Sequence, residues 1–325
     1  MKYDESITSP EVEPVLSVIL PTDSYATIQP VLERLRRQTI APRIEVVLVG
    51  PHASLAVPPT YQEFAQVRVV EVAFPFSLGA ARATGIRAAT APFVFIGETH
   101  SYFYPDAAEK LVAVAEAESW TAVAPGFENG NPKSVSSWSC FLADYGRWSA
   151  RLPGGEIEDA PLYNAVYRRD ALVELNGDLA QLLSHGDQMR LTLQAHGHRT
   201  FFEPAARIDH VNLDRLSVAL HEQFLAGTLI GRQRAARWPW WRRLVYIFGA
   251  GLIPLVLVRR VWPGIRRTAR TERLPIMTAP LIVLLMFAKA AGELIGYAGM
   301  ATSNHQAAME HYEIHKVEYL GSKPG

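Results

Sequence analysis

The stretch FVFIGETHSYFYPD (Phe93–Asp106) opens with an unbroken apolar run, stops at Gly97 and turns polar at once with Glu98 and His100. A continuous hydrophobic run of this length reads as a strand buried on both faces. In open α/β sheets, ligands bind beyond the carboxyl ends of such strands, and Glu98 and His100 sit at one of those ends. A carboxylate and an imidazole there are both competent ligands for a divalent cation. The ordinary alternative is a strand-end Glu and a loop His bonded to backbone or solvent.

Working outward, the same kind of run recurs. VLSVILPT, IEVVLVG, VRVVEV and TAVAPG read as further buried strands, and IQPVLERLRRQ, SLGAARATGIRAAT and YPDAAEKLVAVAEAE have helical spacing between them. Alternation of this sort predicts an α/β fold, a mostly parallel sheet sandwiched by helices. From Glu128 to Pro161 the pattern weakens into Gly, Pro, Ser and Trp, as in a long functional loop. Regular structure resumes with LYNAVYRRDALVEL and GDQMRLTLQAHGHRTFFEPAARIDH. The expected organisation is a disordered lead over 1–14, a compact domain over 15–212, hydrophobic and Arg-rich helices over 213–300, and a polar tail over 301–325.

The chain has 325 residues, enough for a full core plus an accessory region, and 49% of them are hydrophobic. Its 32 basic and 32 acidic residues cancel, but unevenly. Between Arg232 and Arg273 there are eleven arginines against one acid, Glu272. A basic block between hydrophobic runs points to an anionic membrane surface, not to nucleic acid. The single cysteine, Cys140, precludes an internal disulfide, and the polar, acidic start shows no leader. Both fit a reducing compartment, with the bulk of the chain facing the cytosol. Residues 244–258 are short for a span, whereas 279–300 is long enough but carries Lys289 and Glu293 four apart, on one helix face. RWPWWRR has the look of an interfacial anchor. The expected location is the cytoplasmic face of the inner (plasma) membrane, peripheral or integral through these segments.

In order and spacing, VLSVILPT, IEVVLVG, SLGAARATGIRAA, FVFIGETH and the late GDQMRL…ARIDH block resemble inverting family 2 glycosyltransferases of the GT-A fold, over roughly Val15 to Asn212. The tail is similar to that of membrane-associated bacterial members. The resemblance implies a nucleotide-sugar donor, UDP-linked by preference; a lipid-linked or cell-envelope acceptor is expected from location alone, since a hydrophobic and basic tail would place the cleft near a bilayer. It also implies a divalent cation, Mn²⁺ or Mg²⁺, to neutralise the departing diphosphate. Glu98 and His100 stand where the family has an Asp-x-Asp pair, which assigns them to metal and Glu98 to donor as well. Asp187 stands where the family has its general base, with His185 as a second candidate; the plain reading of Asp187 is a helix cap. Arg82 matches the arginine of an Ala-Arg-Asn block and is expected on the phosphates, or else on a neighbouring acid.

Three blocks depart from the pattern: Gly50-Pro51-His52 replaces the acidic pair that reads uracil, Glu98 with His100 replaces the aspartates, and Gly186 precedes Asp187. Pro21 and Thr22, with His52, are left as candidates for the nucleotide site. These departures keep open a second reading, a catalytically silent scaffold subunit of a membrane complex. Asn164, Tyr167 and Arg168 are candidates for sugar or acceptor contact, although a plain strand leading into a helix explains them as well. Trp138, Tyr145 and Trp148 are candidates for stacking on a sugar or lipid, or simply loop anchors. His311 and His315 have a metal-compatible spacing but no third ligand, so they read as part of a solvated tail.

Overall fold

The computed structural model describes residues 4–8, 12–51, 55, 61–73, 77–118, 120–175, 179–184 and 188–321. These divide into two compact units, 1–126 with 153–209 and 127–152 with 210–325.

The first unit starts with β1 (Asp4–Thr8), β2 (Leu16–Pro21), α1 (Tyr25–Leu35), β3 (Ile44–Gly50), β4 (Gln66–Glu71), α2 (Leu78–Ala88), β5 (Phe93–Ile96), β6 (Ser101–Phe103) and α3 (Ala107–Ala117). β7 (Ala122–Asn129) follows. After α4 (Val135–Asp144) come β8 (Gly155–Ile157), β9 (Val166–Arg168), α5 (Arg169–Glu174), α6 (Leu179–Leu182), α7 (Gln188–Ala195) and β10 (Thr200–His210). The sheet order is β1-β4-β3-β2-β5-β9-β7-β10-β6, with β8 on β10. β2 is parallel to β3 and to β5, and β3 to β4. Beyond β5 the direction reverses, since β9 is antiparallel to both β5 and β7. The parallel half explains the sequence pattern: every residue of β2, β3 and β5 is buried, so none needs to alternate with polar residues. Asp4–Thr8, in the expected lead, pair with β4.

Local chemistry sets the helix starts. Ser24 caps α1 by accepting from Thr27 N, Ser77 caps α2 from Ala80 N, and Ser134 caps α4 from Ser137 N. Inside the sheet, the buried Glu45 accepts from Ser17 Oγ at 2.5 Å and Thr90 N at 2.8 Å, with Arg68 Nε at 3.4 Å. Those contacts offset the cost of burying a carboxylate. The parallel register places Pro21, Gly50 and Ile96 at one rim of the sheet.

The second unit is helical: α4, α8 (Leu216–Ala236), α9 (Trp240–Phe248), α10 (Ile253–Thr271), α11 (Thr278–Tyr297) and α12 (Ser303–His315). Its spine is the pair α8–α11, whose glycines lie in two i,i+4 pairs. A Cβ on Gly227 would fall 2.0 Å from Lys289 O, and one on Gly292 2.0 Å from Phe224 O. Gly231 and Gly296 are nearly as tight, at 2.5 Å from Glu293 O and Arg232 N. Small residues at this spacing let two helix backbones touch. Lys289 and Glu293, which share a face, do not neutralise each other. Lys289 reaches Asp144 on α4 at 3.9 Å, and Glu293 takes Arg234 at 3.1 Å and Tyr297 Oη at 2.5 Å. α11 is the one helix among the described residues that is by itself long and apolar enough to cross a membrane, and part of it is buried within the protein; α9 and α10 pass the same test only when joined across their break. The expected polar tail is ordered: α12 places Met309 and Tyr312 against Leu225 and Leu229 of α8, and His311 packs at a tilt against His315.

Candidate active site

β5 ends at Ile96, and Gly97 N donates to Ile19 O, which brings the next residues to the sheet rim. Glu98 is buried there. Its Oε2 accepts from Asn164 Nδ2 at 2.5 Å and from Ser101 Oγ at 3.3 Å, with His100 Nε2 3.5 Å away. Asn164 is fully buried and has φ +58°, a left-handed conformation that Asn tolerates better than most residues. That turn directs its N–H to Ile96 O at 2.6 Å and its side chain to Glu98.

His100 has no exposed surface. A third donor comes from the far end of the sequence. His210, the last residue of β10, completes a group with Glu98 and His100 in which one ligand atom from each lies within 4.8 Å of the others. His210 Nδ1 lies 2.9 Å from Asn212 Oδ1, and its ring packs against Tyr145 at a 38° tilt, 4.1 Å between centroids. With Nδ1 donating to that amide oxygen, Nε2 carries the lone pair. One carboxylate oxygen and two imidazole nitrogens, all buried, are a fitting donor set for a divalent cation. The two nitrogens suit Mn²⁺ better than Mg²⁺, which prefers oxygen.

The neighbouring residue extends the arrangement. Tyr163 Oη donates toward Ser184 O at 2.5 Å and Leu183 O at 3.2 Å. Arg82 lies 3.5 Å above the Tyr163 ring and donates to Leu183 O at 3.3 Å. The pair Tyr163–Asn164 thus touches Glu98 on one side and the segment leading to residue 185 on the other. Asp187, His185 and Gly186 lie outside the described residues, as does His52.

The glycosyl transferase family 2 model matches residues 17–175. The match covers just under half of the chain. The matched residues include Thr22, Arg82, Glu98, His100 and Asn164 and stop before Ser184 and His210. Three solved structures are similar. GalNAc-T7 with UDP, GalNAc and Mn²⁺ is 14% identical with TM-score 0.46, over 62% of this chain and 44% of its own length. The mannosyltransferase PcManGT of Pyrobaculum calidifontis, with GDP-Man and Mn²⁺, is 16% identical with TM-score 0.46, over 94% and 82%. S. aureus TarS residues 1–349 with UDP is 15% identical with TM-score 0.41, over 91% and 90%. The chain thus spans less than half of GalNAc-T7. No curated protein matches by sequence.

The expected site residues separate. Glu98 and His100 meet. Pro21 and Thr22 lie at the rim beside Gly50, where a Cβ would fall 2.0 Å from Thr22 O. Gly50 therefore does more than omit a carboxylate, because the backbone contact leaves no room for one. Arg82 is buried and occupied with Leu183 O and Tyr163. Asn164 is a partner of Glu98, not an exposed sugar contact. Tyr167 is a core residue, fully buried, with its hydroxyl on Pro161 O at 2.8 Å. Burial pushes that phenol well above its ordinary value, and the nearby Asp159 adds to the effect. Arg168 pairs with Phe93, at the start of β5, and salt-bridges Asp170 at 2.8 Å. Phe93 stands five residues before Glu98, so Arg168 is roughly 16 Å of chain rise from it and cannot join that site. Trp138, in the second unit, packs edge-on against Phe141, and Tyr145 and Trp148 lie in the same unit, Tyr145 against His210. His210 and Asn212 carried no expected role, because nothing in the sequence beside them marks either as a site residue.

Proposed function

We propose that the protein is an inverting glycosyltransferase that moves a sugar from a nucleotide donor, UDP-linked by preference, to a lipid-linked or cell-envelope acceptor at the cytoplasmic face of the plasma membrane. The observation that carries this reading is the buried Glu98–His100–His210 donor set at the rim of a family 2 domain. A divalent cation held there supplies positive charge against the departing diphosphate. The protein's own groups do the rest. Asn164 and Ser101 hold Glu98 Oε2, and Asn212 holds His210, so the donors stand in place before anything binds. Asp187 is assigned the proton of the attacking hydroxyl. Support for it is indirect: Ser184, three residues before it, is tied to Tyr163, the neighbour of the residue that grips Glu98. The acceptor follows from the basic, apolar helices of the second unit, which favour a site beside a bilayer.

The test is a binding and hydrolysis panel of UDP-, GDP- and dTDP-sugars with and without Mn²⁺. Metal-dependent donor binding that is lost in Glu98→Ala and His210→Ala, and donor hydrolysis lost in Asp187→Ala, is the expected result. Failure of every nucleotide to bind at any metal concentration transfers the assignment to the scaffold reading. Hydrolysis that survives Glu98→Ala but not Asp187→Ala refutes the metal site alone.

A further inference from the structure

α9 and α10 meet at a bend of 55°. At this elbow the large apolar side chains face outward. Trp240, Trp241, Val245, Phe248, Leu252 and Leu255 are all exposed, Phe248 at 85% and Trp240 at 72%. The inner side of α9 is anchored differently: Tyr246 and the preceding Trp238 pack on Tyr297 of α11, with centroids 5.5 and 5.4 Å away. α10 is likewise two-sided, with Val261, Gly264, Ile265 and Thr268 buried and Arg259, Arg260, Arg266 and Arg267 outward. The exposed tip is thus apolar and aromatic, and arginines flank it on both sides, Arg242 and Arg243 before and Arg259 and Arg260 after. Soluble surfaces rarely expose so large a contiguous apolar patch without a partner.

Charge selects the partner. Eleven arginines and one acid lie between Arg232 and Arg273. A second copy docked on the same patch would set these cations against their own kind. An anionic bilayer complements both halves of the pattern, with headgroups for the arginines and the acyl boundary for the tip.

Length selects the mode. The apolar run at the elbow, residues 244–258, is 15 residues between arginine pairs. Even as a straight helix it would reach only about 22 Å, short of the roughly 30 Å of hydrocarbon that a span must cross, and the bend shortens it further. α11 is long enough, but it is locked at backbone contact to α8, which carries Glu222, Gln223, Arg232 and Arg234. Crossing would carry those groups along. We infer that the α9–α10 elbow inserts into one leaflet of an anionic bilayer, lying in the plane of the membrane, and that neither it nor α11 crosses. This deepens the membrane-associated reading above and rests on it.

The experiment uses the full-length protein and sealed vesicles of phosphatidylcholine, alone or with phosphatidylglycerol. Co-sedimentation is expected with the anionic vesicles and to weaken in high salt. Phe248→Glu with Leu252→Glu abolishes it, and each of Arg259→Glu and Arg260→Glu weakens it about fivefold or more, while circular dichroism and donor binding stay unchanged. Depth is then read in a Cys140→Ser background. The native thiol is buried and held well above its ordinary pKa by desolvation, with Asp144 beside it, so its loss removes little surface reactivity. A cysteine at Phe248 is expected to be shielded from an aqueous maleimide on either side of the vesicle. One at Arg266 should react from outside only. Reaction of either cysteine with maleimide trapped in the lumen overturns the one-leaflet mode while leaving membrane attachment standing. Absence of vesicle binding overturns attachment itself. A lipid-free dimer that Phe248→Glu converts to monomer assigns the patch to a second copy and overturns the proposal.

Discussion

Asn164 gives the sharpest test of how the rim is built, because its two tasks can be removed separately. Its amide donates to a buried carboxylate, a hydrogen bond to a charged group worth about 1.5–3 kcal/mol. Its backbone sits at φ +58°, where an ordinary side chain adds about 1 kcal/mol of strain. Asn164→Gly removes the amide and tolerates the turn, so it should cost about 2 kcal/mol. Asn164→Ala loses the amide and keeps the strain, for a total of about 3 kcal/mol. Urea unfolding of the two variants beside the parent measures that ordering. Loss of a residue that orients a metal ligand typically costs roughly 10–100-fold in affinity. Calorimetric titration with Mn²⁺ should therefore weaken by at least ~10-fold in both variants alike, since the strain does not act on Glu98. Equal stability of Ala and Gly, or Mn²⁺ affinity unchanged in either, would refute the claim that this turn exists to hold Glu98.

Three further outcomes follow from named contacts. Gly50→Asp, which restores the acid expected at this point of the family, should lower thermal stability and fail to improve UDP binding, because its Cβ meets Thr22 O at 2.0 Å. Gly292→Val should part α8 from α11 and cost more than about 3 kcal/mol by chemical denaturation, since the obstacle is the Phe224 carbonyl and not a movable side chain. Glu222 is buried and its pKa is pushed up to about 7, by desolvation first and the neighbouring Asp144 second. The folded state therefore holds its proton more tightly than the unfolded state. The associated stability is fully present below the ordinary carboxylate range and is lost as pH rises through about 7. Melting curves from pH 5 to pH 8 should lose most of that slope in Glu222→Gln, whose gain is confined to the alkaline end.

Much of the first unit could be read directly from the chain. β2, β3 and β5 are buried on both faces, so their hydrophobicity is unbroken and unmistakable, and a polar pair directly after β5 had to lie at the rim. The antiparallel half was harder, because β9 is three residues long and pairs with β5 over residues far removed in sequence. Register explains the misplaced residues. Four residues separate Arg168, the partner of Phe93, from Asn164, which grips Glu98, so the two, close in sequence, serve opposite ends of the β5–β9 pair. Tyr167 faces the core on the same grounds. His210 went unassigned because nothing local marks it; only the sheet order, which sets β10 beside β6, brings it to His100. In the second unit the two i,i+4 glycine pairs were visible as spacings, but their meaning depended on which helix faced which.

The glycine seam has a consequence for how this chain can change over time. Where two helices meet through side chains, a lineage can trade bulk across the joint, one methyl lost here and gained there, and drift by small steps. Bare peptide groups leave nothing to trade. Descendants of this sequence must keep the seam whole or abandon it in one move, so variation in the helical unit should collect on its outward surfaces while this line stays fixed.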